Sequence, residues 1–138
     1  MLELAICAGV MVSCLAGTVQ FGYTFYVYNQ LVTAVGNGGR YAAMRTYRGD
    51  QEKARSAIQN MVVYGDARPT ELAPVVANLR PEQVEVEWIK DSKGVPTSVH
   101  VAIHNYPVNA VFKMISLDGR PGVEFPYVGR YAPTEREP

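Results

Sequence analysis

LELAICAGVMVSCLAGTVQFGYTFYVYNQLVTAVGNGGRYAAMRT, residues 2–46, carries one acid, Glu3, and then no charge of either sign until Arg40. A helix that crosses a bilayer needs roughly 20 apolar residues at about 1.5 Å of rise each. This run supplies them, continues for several more turns and contains no proline. It therefore predicts a helix that sits in a membrane at some stage. Whether the bilayer is its permanent place stays open at this point.

The flank of the run sharpens that expectation. A secretory signal opens with basic residues, followed by a short apolar core and a small-residue cleavage site. Met1-Leu2-Glu3 has no basic residue and the apolar stretch outlasts a signal core, which favours a basic leader already removed over insertion without a basic flank. The only cysteines, Cys7 and Cys14, lie inside the run. At about 10 Å apart along one helix they cannot bridge within it. They read as small packing residues, with an intersubunit bridge as the alternative, and no Cys-x-x-Cys-His pattern supports covalent haem.

Gly9, Gly17, Gly22, Gly36, Gly38 and Gly39 punctuate the same run. Each costs about 1 kcal/mol relative to alanine in a water-exposed helix. Small residues let helix backbones approach where lipid gives no hydrophobic drive, so the helix is expected to pack on copies of itself or on other helices, with Gly9, Gly17 and Gly22 in the assembly surface. Phe21, Tyr23, Phe25, Tyr26 and Tyr28 follow within a short span. They fit either an aromatic belt at headgroup depth or a packing face between helix and head.

The chain divides into an assembly or transmembrane helix at 1–48 and a head at 49–138. Thirteen basic and thirteen acidic residues cancel without any Lys/Arg-rich block, which excludes the electrostatic footprint of a nucleic-acid binder. In the head, Asp50 is placed to cap a helix over residues 51–62. Its apolar positions Ala54, Ala57, Ile58, Met61 and Val62 share one face, expected to lie on the following sheet. Tyr64-Gly65-Asp66 ends that helix.

A hairpin follows: Val84, Val86 and Trp88 alternate with Glu85 and Glu87, Asp91-Ser92-Lys93-Gly94 turns the chain, and Val99, Val101 and Ile103 alternate with His100, Ala102 and His104. Residues 108–115 fit a third strand or a short helix. Gly119-Arg120-Pro121-Gly122 is a turn, and residues 123–128 read as an edge strand because Pro126 cannot donate to a ladder. The tail, 133–138, is charged and bounded by prolines. The fold class is thus α+β: a long apolar helix plus a small head with one helix packed on an antiparallel sheet of three to four strands.

Chemistry-bearing patterns are sparse. His100 and His104 lie four apart on a strand, about 13 Å, too far to share an ion. A hairpin centred on Lys93-Gly94 sets His100 opposite Glu87. No nucleophile elbow, phosphate-cradling loop, metalloprotease helix or dinucleotide fingerprint occurs. The sequence therefore predicts no enzyme, no metal and no cofactor.

Residues 19–31 (VQFGYTFYVYNQL), followed by Gly38-Gly39-Arg40-Tyr41-Ala42-Ala43, resemble the TadE-like proteins of tight-adherence pilus systems. Gly39 stands where that family usually has alanine. The resemblance implies a type IV pilin-related subunit whose leader is removed by a prepilin peptidase. Its helix is then drawn from the inner membrane into the core of an extracellular filament, a homo-oligomer built with other pilins and assembly machinery. It further implies that Glu3 pairs with the free ammonium at Met1 of a neighbouring subunit, because a lone carboxylate at the start of a buried helix is costly unless paired. Arg40 and Tyr41 then mark the junction between helix and head. The competing expectation is a monomeric, membrane-anchored binding or pilus-assembly protein with an exported head.

Overall fold

A computed structural model of the chain describes residues 2–46, 51–69, 72–108 and 115–130. Met1, the expected cap Asp50 and the tail lie outside the described residues.

The helix α1 runs Leu2–Met44 and has two halves of different pattern. From Val27 onward, Leu31, Ala34, Val35, Gly38 and Ala42 recur at three- and four-residue steps and are all buried. That spacing draws one stripe along a 3.6-residue helix. Asn29, Thr33 and Asn37 occupy the opposite, exposed side. Between Leu2 and Tyr26, by contrast, every residue is exposed or half-buried.

The second helix, α2, spans Gln51–Tyr64 and buries Ala54, Ile58, Val62 and Val63. Ala57 and Met61, expected on the same face, are half-buried. Gly65 stops it in the left-handed region (φ 73°), with its N–H donating to Met61 O at 3.0 Å, a conformation that glycine adopts without a Cβ penalty. The sequence places α2 on the sheet. It packs on the sheet as expected, where Gln59 Nε2 donates to Val84 O of the first strand at 2.9 Å, and it packs as well on α1.

Among the described residues five strands follow: β1 Val84–Lys90, β2 Pro96–Ile103, β3 Tyr106–Val108, β4 Ile115–Leu117 and β5 Gly122–Pro126. β1, β2 and β5 form an antiparallel sheet in the order β1-β2-β5. The expected hairpin register holds, with Val86 opposite Val101 and Glu87 opposite His100. Gly94 at φ 78° closes the turn, its N–H donating to Asp91 O at 2.8 Å. β3 and β4 pair as a separate two-stranded ribbon. The stretch 108–115, open between strand and helix on sequence grounds, thus has strand residues at both ends, and residues 109–114 lie outside the described residues.

The α+β class expected from the sequence is present, with one addition. The sheet is covered by α2 and also by the C-terminal half of α1, which lies over β2 and β5. The core joins Leu31 and Val35 of α1, Ile58 and Val62 of α2, and Val84, Val99, Val101 and Ile103 of the sheet. The long helix is therefore the head's central element as well as its stalk.

Candidate functional site

The C-terminal half of α1 is locked in place by close approach and by caps. A Cβ on Gly38 would collide with the Val62 side chain of α2, and one on Gly39 would lie 2.7 Å from Phe125 Cδ2 of β5. Two of the glycines expected to admit close neighbours thus serve packing within this chain, Gly38 against α2 and Gly39 against β5. Backbone carbonyls at the end of a helix lack intrahelical partners; here Val128 N–H donates to Ala43 O at 3.1 Å and the Tyr127 hydroxyl donates to Arg45 O at 2.7 Å. The segment after β5 so closes the end of α1.

Arg40 is exposed, and Tyr41 is half-buried and packed against the core. Arg45 Nη1 donates to the Tyr41 hydroxyl at 3.3 Å. Burial of α1 begins earlier, at Val27, so Arg40 and Tyr41 lie well inside the clasped half.

The N-terminal half is the opposite case. Leu4, Met11, Leu15 and Phe21 are exposed, as are Cys7 and Cys14. Nothing lies within 4 Å of a Cβ placed on Gly9, Gly17 or Gly22. Glu3 sits in the first turn, where the helix dipole favours an acid. The hydroxyls of this half bond back onto their own helix: Ser13 to Gly9 O at 2.9 Å, Thr18 to Cys14 O at 3.0 Å and Thr24 to Gln20 O at 3.0 Å. Such back-bonding satisfies a hydroxyl where no water is available. Sequence reasoning passed over this feature, although Ser or Thr in an unbroken apolar helix signals it.

Of the aromatic group, Tyr23 and Tyr26 reach the head. Phe21 and Phe25 are exposed; Tyr23 and Tyr26, though largely exposed, line a crevice with Val76, Asn78 and Tyr106 of the head. The Tyr106 hydroxyl donates to Ala77 O at 2.7 Å. Burial pushes that hydroxyl's pKa up, and Tyr23 adds to the effect.

A side-chain cluster unread in the sequence joins the ends of three strands. His104 Nε2 lies 2.6 Å from Glu85 Oε2, and its Nδ1 lies 2.8 Å from Asp118 Oδ1. Each ring nitrogen faces one carboxylate oxygen, to which it donates when it carries the proton. The carboxylates sit on opposite sides of the ring, so the trio does not converge on one point. Among the described residues no group of three His, Cys, Asp or Glu side chains forms a metal-ligand set. An exposed pairing of this kind holds strand ends and contributes little to stability.

Together these features define a class: a small α+β head clasped around one half of a single long helix, whose other half is uncovered, apolar and long enough to cross a membrane. Within that class, residues 1–40 match the family model described as TadE-like protein, the family that the helix resembles in sequence. The match covers the free half of α1 and most of the clasped half. No curated protein and no solved structure matches the chain.

Proposed function

We propose that this chain is a structural subunit of a Tad-type pilus, a pilin or pilin-like protein with no catalytic role. Its free helix half first spans the inner membrane and then packs, copy against copy, in the core of an extracellular filament. The observation that carries this reading is the division of α1 at Val27: the C-terminal half is buried along one stripe by the head, and no residue from Leu2 to Tyr26 is buried. Residues 2–26 span about 37 Å as a helix, enough for a hydrocarbon core of about 30 Å.

In the filament, Glu3 neutralises the N-terminal ammonium of a neighbour and sets axial register. Gly9, Gly17 and Gly22 admit neighbouring backbones. A heterologous contact of this type, repeated without closure, builds a helical polymer. The head stays outside and coats the filament.

Shearing cells and sedimenting the released material tests the proposal. The chain is expected in the sedimentable filament fraction. Recovery only from detergent-extracted membrane would instead favour a monomeric anchored protein.

A further inference from the structure

Residues 72–79, part of which lies beside α1, carry no charged side chain between Glu71 and Arg80. Val76 and Leu79 turn into the core, while Leu72 and Val75 are 50% and 52% exposed and Ala73 and Pro74 are exposed between them. The stretch is anchored at two points: Val75 N–H donates to Val63 O at 2.8 Å, and Ala77 O accepts from the Tyr106 hydroxyl at 2.7 Å. Its place along α1 is therefore set. Val75 lies beside Tyr26, Gln30 and Thr33, and Ala77 and Asn78 share a crevice with Tyr23 and Tyr26.

Those two tyrosines come just after the roughly 20 apolar residues that a bilayer requires. Tyrosines at that position sit at headgroup depth, and Val75, beside Tyr26, lies next to that level. A single exposed leucine on a soluble head needs no explanation. An uncharged, exposed Leu-Ala-Pro-Val rim whose last residue lies beside Tyr26 offers apolar area to the acyl boundary.

We propose that residues 72–75 form a second membrane contact, dipping into the lipid interface beside Tyr23 and Tyr26 and seating the head on the bilayer before assembly. The contact fixes the head's orientation to the membrane, which a single helix leaves free to rotate. This inference rests on the reading that the free half of α1 spans the membrane, and the experiment separates the two.

The full chain, with Cys7→Ser and Cys14→Ser, is labelled at Leu72→Cys with an environment-sensitive fluorophore. It is reconstituted in phosphatidylcholine–phosphatidylglycerol vesicles that carry a spin-labelled quencher shallow in the acyl chain. Leu72 is exposed, so the substitution leaves the core untouched. A label at Ser92→Cys, in the turn at the end of the sheet remote from Tyr23, is the reference, and a label on Cys14 with only Cys7→Ser reports the span.

Loss of most of the Leu72 emission, with Ser92 unaffected and Cys14 quenched, is the expected result. Quenching at Cys14 with Leu72 as bright as Ser92 would overturn the second contact and leave the span intact. An unquenched Cys14 would overturn both. A Leu72 label untouched by the lipid quencher yet shielded from aqueous iodide would assign the rim to a second copy of the chain, and would likewise overturn the lipid contact.

Discussion

Gly38 of α1 lies against Val62 of α2 so closely that a Cβ on the glycine would enter the valine side chain. The two helices meet there because one of them has no side chain, and the layer that covers the sheet depends on that approach. Gly38→Ala must displace a branched, buried side chain. The overpacking costs about 1–3 kcal/mol and outweighs the gain of up to about 1 kcal/mol in helix propensity. Gly17→Ala, at a position with nothing within 4 Å, gains propensity without a clash. Thermal unfolding in detergent should show a lower Tm for Gly38→Ala and no loss for Gly17→Ala; equal Tm values for the two would contradict the close approach.

Tyr127→Phe removes the hydroxyl that donates to Arg45 O at 2.7 Å and leaves a carbonyl beyond the end of α1 without that donor. A loss of about 1 kcal/mol is expected, read as a lower denaturant midpoint with an unchanged slope. An unchanged midpoint would show that water replaces the hydroxyl without loss.

Tyr106 gives the head an alkaline sensitivity. Burial and Tyr23 push its hydroxyl above the ordinary value of about 10, so the unfolded chain loses this proton more readily than the folded one. The stabilisation is fully present below about pH 10 and is lost as pH rises through the folded-state value. Tyr106→Phe, which also gives up the hydrogen bond to Ala77 O, should be less stable than the parent at neutral pH and should lose less on going from about pH 8 to about pH 11. Parallel denaturant curves check it; identical pH slopes for the two proteins would contradict it.

Much of this fold was legible in the chain. The alternation of Val84, Val86 and Trp88 against Val99, Val101 and Ile103 rules out a one-residue slip, which would put one apolar set on the wrong face, and the turn centred on Lys93-Gly94 then selects the pairing of Glu87 with His100. The division of α1 was harder to see, because lipid-facing and core-facing positions use the same residue types. Its signal is the arrival of Asn29, Gln30, Thr33 and Asn37, which turn an all-round apolar helix into one with a stripe. Gly38 and Gly39 looked like the other glycines of the run because sequence does not say whether a close neighbour is the same chain or another. The cluster at His104 depends on Asp118, brought in by the turn before β5, and no local spacing encodes that meeting.

Glu3→Ala probes the assembly end of the helix. Removing the acid leaves the apolar length unchanged, so membrane insertion should persist while incorporation into filaments is abolished or slowed. Membrane fractionation and the yield of sheared filaments read the two separately. Normal filament yield from Glu3→Ala would refute the pairing with a neighbouring N-terminus.

The central claim is that the free half of α1 is the surface by which copies of the chain assemble. Electron cryo-microscopy of the sheared, purified material tests it most directly. The account predicts helical filaments in which residues 2–26 of successive copies pack in the core, with Gly9, Gly17 and Gly22 at contacts between copies and the head outside. Filaments that hold the heads in the core, or sheared material that lacks this chain altogether, would contradict it.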